Sequence, residues 1–242
     1  MRDVTFPGSA GDTIPAYIVT PNKGGPFPAV LYVHWLGEVR SDRTEFLEEA
    51  LSLARKGVKS LLVQAPWADP GWFAKRKLGD DFEFSVRQVK DLGRALDVLL
   101  AQPDVDARRV AYVGHDFGAM YGAGMLSFDR RVRFAVLMAA TPVFSDWFLL
   151  GTKLPAEEQS RYVEHMAAFD ASRFLPASAV SEFLFQFSTR DKYVPRAAAE
   201  AFAAAATGAK EVLWYDAPHS LDAKAQRDRM AWLLKRLERK PA

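Results

Sequence analysis

Short apolar runs rich in β-branched residues alternate with segments of helical period along nearly the whole chain. Residues 4–6 and 14–19 read as strands joined by a Gly/Ser/Asp turn from Gly8 to Asp12, which predicts a hairpin. Residues 29–33, preceded by Pro26 and Pro28, are continuously apolar, the pattern of a strand buried on both faces. The stretch 44–56 places Phe46, Leu47, Ala50, Leu51 and Ala54 on one helical face, and Gly57 closes it. A second buried strand is expected at 58–63, then a helix over 82–101 through Val86, Val89, Leu92, Leu96 and Leu99, stopped by Pro103. Further strands are expected at 109–113, 134–138, 183–187 and 212–215, and further helices at 117–127, 197–206 and 223–237. This alternation predicts an α/β fold, a mostly parallel twisted sheet of about eight strands with helices on both faces.

One stretch is too long for a simple connection. Residues 141–180 span about 40 positions, against the ~2–6 usual between a strand and a helix. Pro155, Glu157 and Glu158 mark a helix start, and Tyr162, Val163, Met166 and Phe169 form an apolar stripe behind it. A crossover helix with a small cap is expected here, inserted into a single domain that runs over 1–242.

Composition narrows the function classes. With 32 Lys and Arg against 30 Asp and Glu, the net charge is only +2, so neither nucleic acid nor an anionic membrane is an expected partner. The one basic cluster, Lys75-Arg76-Lys77, precedes Asp80 and Asp81 and reads as a solvated loop. There is no cysteine, which removes disulfides, thiolate metal sites and a cysteine nucleophile together. The four histidines, His34, His115, His165 and His219, show no zinc-helix spacing, so neither a metal nor a cofactor is expected. The first residues lack the apolar run of a secretory signal and no run approaches ~18 apolar residues, so a cytoplasmic protein is expected. The expected partner is a small-molecule substrate, with a homodimer left open.

The sharpest chemical signal is Gly114-His115-Asp116-Phe117-Gly118, between the 109–113 strand and the next helix. It has the form of a nucleophile elbow with aspartate at the centre, where flanking glycines relieve a strained strand-to-helix turn. Asp191 and His219 each follow a predicted strand, in the chain order nucleophile, acid, histidine. Ligands of open α/β sheets bind at those strand ends.

On these residues the chain resembles the α/β-hydrolase superfamily, and most closely its dienelactone-hydrolase and related esterase branch. The marks are Val33-His34-Trp35-Leu36-Gly37, the elbow, the Asp191-to-Pro195 run and the late His219. The resemblance covers residues 14–237 and implies Asp116, His219 and Asp191 as the catalytic triad. It also implies an oxyanion hole from the backbone N–H groups of Phe117 and of Leu36 or Trp35. Where that branch carries cysteine or serine, this chain carries Asp116. Such an elbow is similar to those of haloalkane dehalogenases and epoxide hydrolases. The dehalogenases follow the nucleophile with a halide-holding tryptophan, here Phe117, and the epoxide hydrolases supply two cap tyrosines where 141–180 holds only Tyr162.

Chemistry separates the readings. An aspartate needs no base to become nucleophilic and is expected to be ionised near neutral pH. Its attack on an ester carbonyl tends to revert, whereas attack on a carbon bearing halide or epoxide oxygen leaves a stable enzyme ester. His219, oriented by Asp191, then activates the water that cleaves it. That gives a hydrolase of epoxides or organic halides. Two alternatives stay open: an esterase or lactonase in which Asp116 acts on water, and a binding protein on the same fold. Trp67, Trp72, Trp147 and Tyr162 are the expected pocket residues, together with His34, read chiefly as a brace for the oxyanion loop. His115 is expected in the packing beneath the elbow and His165 on the surface.

Overall fold

β1 (Arg2–Pro7) and β2 (Thr13–Val19) form the expected antiparallel hairpin, with Arg2 opposite Ile18 and Pro7 opposite Thr13. β3 (Phe27–Val33) is buried at every position, which is what its unbroken apolar run requires. β4 (Lys59–Val63) lies parallel to one edge of β3, and β5 (Val105–His115) lies parallel to the other. β6 (Phe134–Met138), β7 (Glu182–Ser188) and β8 (Ala209–Tyr215) follow outward, each parallel to the last. The order β1-β2-β4-β3-β5-β6-β7-β8 therefore reverses direction between β3 and β5. A crevice opens beyond the strand ends at such a reversal. These elements come from a computed structural model that describes residues 1–37 and 41–238.

The helices are α1 (Leu47–Ala54), α2 (Trp72–Lys75), α3 (Asp81–Leu100), α4 (Phe117–Phe128), α5 (Phe144–Phe148), α6 (Ala156–Met166), α7 (Ala171–Phe174), α8 (Arg196–Ala205) and α9 (Ala223–Leu237). α1 and α9 cover one face of the sheet through Ala50, Leu53, Trp232, Leu233 and Leu237. α3, α4 and α8 cover the other through Leu92, Leu96, Leu99, Met120, Leu126 and Phe202. Burying each such Leu or Phe stabilises the fold by about 1.5–3 kcal/mol. α4 is buried all the way from Phe117 to Leu126 and lies directly against β5. A Cβ on Gly122 would sit 2.3 Å from the Tyr112 ring.

Two expectations change. The helix predicted over 44–56 begins only at Leu47, because Asp42 Oδ1 accepts the Thr44 N–H at 2.7 Å and holds the chain in a turn. The Lys75-Arg76-Lys77 stretch is not wholly solvated: Arg76 and Asp81 form an ion pair at 3.3 Å with side chains 9% and 2% exposed. Within 141–180 there are three short helices, α5, α6 and α7, of which α5 is mostly buried and α6 buries only Met166. None of the described helices is long and apolar enough to cross a membrane.

Candidate active site

The elbow follows β5 without a linking residue. Asp116 stands at φ 52° and ψ −116°, a positive φ that a non-glycine residue seldom holds. Its N–H donates to the Met138 carbonyl at 2.9 Å, and its own carbonyl accepts from Ala119 and Met120 at 2.9 Å, starting α4. The flanking glycines are steric necessities. A Cβ on Gly114 would lie 2.5 Å from the Gly118 oxygen, and one on Gly118 would lie 2.3 Å from the Val33 oxygen.

The two oxygens of Asp116 are treated differently. Oδ2 accepts the Leu36 N–H at 3.1 Å, while Oδ1 is buried with no hydrogen-bond partner. Burial pushes this carboxyl up to about 7, against the opposing pull of His219 and the Leu36 N–H. The expectation of a readily ionised aspartate is thereby revised: desolvation opposes its ionisation.

Asp191 and His219 meet as the chain order implied. His219 Nδ1 donates to Asp191 Oδ2 at 2.8 Å, and both side chains are buried. Burial alone would raise Asp191. The hydrogen bond from His219, backed by the N–H groups of Val194 and Tyr193 on Oδ1, instead holds it below the usual carboxylate range. His219 Nε2 is buried and without a partner. An imidazole held through Nδ1 with an unengaged Nε2 is arranged to take a proton there.

Of the oxyanion candidates, Leu36 supplies its N–H to Asp116, but Trp35 does not: the Trp35 N–H donates to Glu45 Oε2 at 2.9 Å. Phe117 places its backbone at the first turn of α4 and packs its ring between Trp67 and Trp147, with centroids 5.6 and 5.9 Å away.

A cleft of about 540 Å³ opens above this group, lined by Trp67, Trp72, Phe73, Trp147, Tyr193 and His219 among others. Three of the five expected pocket residues are in that lining. His34 is not: it is 1% exposed, its Nε2 accepts the Ala65 N–H at 3.0 Å, and its Nδ1 faces Ser41 Oγ at 2.7 Å. Burial lowers its proton affinity, as suits a neutral brace. Tyr162 is also elsewhere, donating its hydroxyl to Asp81 Oδ2 at 2.6 Å, because α6 packs toward α3 rather than over the strand ends. Asp116 itself is fully buried under the cleft floor. His165 is exposed against the Phe82 ring, and among the described residues no cluster is arranged to hold a metal.

Two contributors escaped the sequence reading. Tyr193 lines the cleft two residues after Asp191, a position legible from the same run. Glu45 reaches His115 Nδ1 at 2.6 Å from 70 residues away, and no local motif announces it.

An elbow after β5, an acid after β7 and a histidine after β8, around a reversal at β3 and β5, define the α/β-hydrolase fold. The structure matches an acetyl xylan esterase from Paenibacillus sp. R4 with a TM-score of 0.81 at 20% identity, covering 97% of this chain and 83% of that one. It also matches a protein assigned as a dienelactone hydrolase from Klebsiella pneumoniae, with a TM-score of 0.71 at 16% identity over 99% and 98% of the two chains. At such identities the likeness carries the fold alone. More particularly, the chain belongs to the FrsA-like esterase family, whose pattern matches residues 1–184. Esterase FrsA of Escherichia fergusonii and that of Enterobacter sp. strain 638 are each 32% identical over 119 residues, 49% of this chain. The chain spans only 26% of the length of these curated relatives. The family match takes in Leu36 and Asp116 and ends before Asp191 and His219.

Proposed function

We propose that this chain is a hydrolase that forms an ester on Asp116, acting on a small, largely apolar epoxide or organic halide. The carrying observation is the division within the Asp116 carboxylate, one oxygen held by the Leu36 N–H and the other buried and unpaired. Desolvation strips the unpaired oxygen of the water that would blunt its attack. In the first step Oδ1 gives a lone pair to the substrate carbon, and the carbon–halogen or carbon–oxygen bond breaks with the leaving group taking the electron pair. Trp147 supports this step, since its buried indole N–H has no partner and its ring lies 5.7 Å from that of His219. That N–H is a donor available to a departing anion.

In the second step His219 Nε2 takes a proton from water as the water oxygen attacks the ester carbon of Asp116, and Asp191 stabilises the imidazolium. The oxyanion forms at Oδ2, already beside the Leu36 N–H. Collapse expels the alcohol and restores the carboxyl group. The balance is alkyl halide plus water to alcohol plus acid, or epoxide plus water to diol. Because Asp116 is fully buried, substrate reaches it only when the cleft floor gives way.

Membership of the FrsA-like esterases favours a second reading, ester hydrolysis with Asp116 drawing a proton from water. Asp116→Ser separates the two. On the aspartyl-ester reading it loses turnover of styrene oxide and bromobutane. It also gains p-nitrophenyl acetate hydrolysis by about 10²–10⁴-fold, because His219 and Asp191 already stand as base and orienter. A serine variant that folds, gains no esterase activity and keeps the parent's turnover shows that residue 116 is not the nucleophile.

A further inference from the structure

Behind the elbow lies a second histidine–carboxylate pair that the proposed chemistry does not use. His115 Nδ1 is 2.6 Å from Glu45 Oε1, and its Nε2 is 3.1 Å from the backbone carbonyl of His219. The other oxygen of Glu45 accepts the Trp35 N–H at 2.9 Å, and the Trp35 ring stacks on His115 at 5.1 Å and 6°. His115 is the neighbour of Asp116 on the elbow, Trp35 precedes the Leu36 whose N–H holds Asp116, and the carbonyl belongs to His219 itself. One pair, with His115 buried and Glu45 partly exposed, thus touches the loops after β3, β5 and β8.

We propose that Glu45 and His115 are positioning residues that fix the Trp35–Leu36 loop and the His219 main chain against the elbow. The bond from His219 to Asp191 sets the ring's tilt and tautomer, but it leaves the position of the loop to be set elsewhere. A misplacement of ~1 Å at reacting groups can cost about 100-fold in rate. The groups that face this pair are Asp116 and His34 beside it and His219 across from it. Both ring nitrogens of His115 are engaged by oxygen atoms, Nδ1 by the Glu45 carboxylate and Nε2 by the His219 carbonyl.

The hydrogen-bond geometry makes one substitution diagnostic. In Glu45→Gln the amide oxygen still accepts from Trp35, the amide NH₂ donates to His115 Nδ1, and Nε2–H still reaches the His219 carbonyl. All three links survive without the charge. His115→Phe keeps a ring against Trp35 and loses both hydrogen bonds, and Glu45→Ala loses the anchor of two.

The test uses the full chain labelled with [15N]histidine, in which only four histidines need assigning. Solvent exchange of the His219 Nδ1–H, identified by its loss in His219→Gln, is read beside turnover of styrene oxide and p-nitrophenyl acetate. His115→Phe and Glu45→Ala are expected to lower kcat about 10–100-fold with KM within about twofold, and to speed the His219 N–H exchange. Glu45→Gln is expected to keep both within about threefold of the parent. The kinetic arm rests on the functional reading above; the exchange arm does not. A parent inert on both probes sinks that reading, and the exchange rates still decide the positioning role. An unchanged His219 N–H in both disruptive variants, or a Glu45→Gln as damaged as Glu45→Ala, overturns the proposal. Should Glu45→Ala fail to fold, the ring-retaining His115→Phe carries the comparison.

Discussion

Between Gly114 and Gly118 the backbone has almost no room to move, whereas α6, within residues 141–180, buries only Met166 and leans on a few polar contacts. At the elbow, Asp116 keeps a positive φ because the Met138 carbonyl, two α4 N–H groups and the close approach to Val33 all specify it. In the other region α6 leaves most of its residues exposed and is tied down by Tyr162 on Asp81. Arg76 joins that tie, pairing with Asp81 and lying over the Phe73 and Phe148 rings at 4.1 and 4.8 Å. The difference separates two tasks. The reacting group sits where the backbone is over-determined, and α6 is fastened more lightly.

The strongest break in this comparison removes the charge at the elbow. Asp116→Asn keeps the shape but not the nucleophile, so turnover should fall to background. Stability should move the opposite way. The Asp116 carboxyl rises from 3.8 to about 7 on folding, so between those pH values the folded chain keeps a proton that the unfolded chain releases. Native stability therefore declines as pH rises across that window and levels off above it. Asp116→Asn should gain on the order of 2–4 kcal/mol at pH 8 and little at pH 4, read from urea melts at both. In the parent, kcat/KM should fall about tenfold per unit as pH drops below about 7. A loss of stability in the asparagine variant at pH 8 contradicts the desolvation account.

Next in size is Gly118→Ala. The new methyl meets the backbone carbonyls of Val33, the last residue of β3, and of His34 just beyond it. A cost of about 3 kcal/mol is expected in urea unfolding, with turnover lost as well. A variant of parental stability would show that the elbow has slack.

The smallest effect sharpens the other side. Tyr162→Phe removes one hydrogen bond from an Asp81 that Arg76 still faces, so about 1 kcal/mol should go. Turnover should change less than about twofold. Loss of turnover there would return Tyr162 to the cleft as an acid.

Legibility in the sequence follows the same division. β6 and α9 occupy the residues their hydrophobic patterns predict, and the elbow, acid and histidine stand after the expected strands, because strand periodicity and glycine sterics are local. Tyr162 stands outside the cleft, and so does His34, whose reading as a brace agrees with its contacts; their partners, Asp81 and Ala65, lie 81 and 31 residues away in the chain. The Trp35 N–H was assigned to the oxyanion hole for want of Glu45, whose approach no pattern encodes. The raised proton affinity of Asp116 depends on burial under a cleft floor assembled from distant loops, so no reading of the pentapeptide alone supplies it.

A covalent ester on Asp116 can be trapped and seen directly. His219→Gln removes the base for the water step while leaving the first step intact. Incubated with styrene oxide or bromobutane, digested and analysed by mass spectrometry, that variant should carry the substrate's mass on the peptide containing Asp116. The adduct should be absent from the His219→Gln/Asp116→Asn double variant. A His219→Gln protein that stays unmodified on substrates the parent turns over, or one labelled at any residue other than Asp116, contradicts the account.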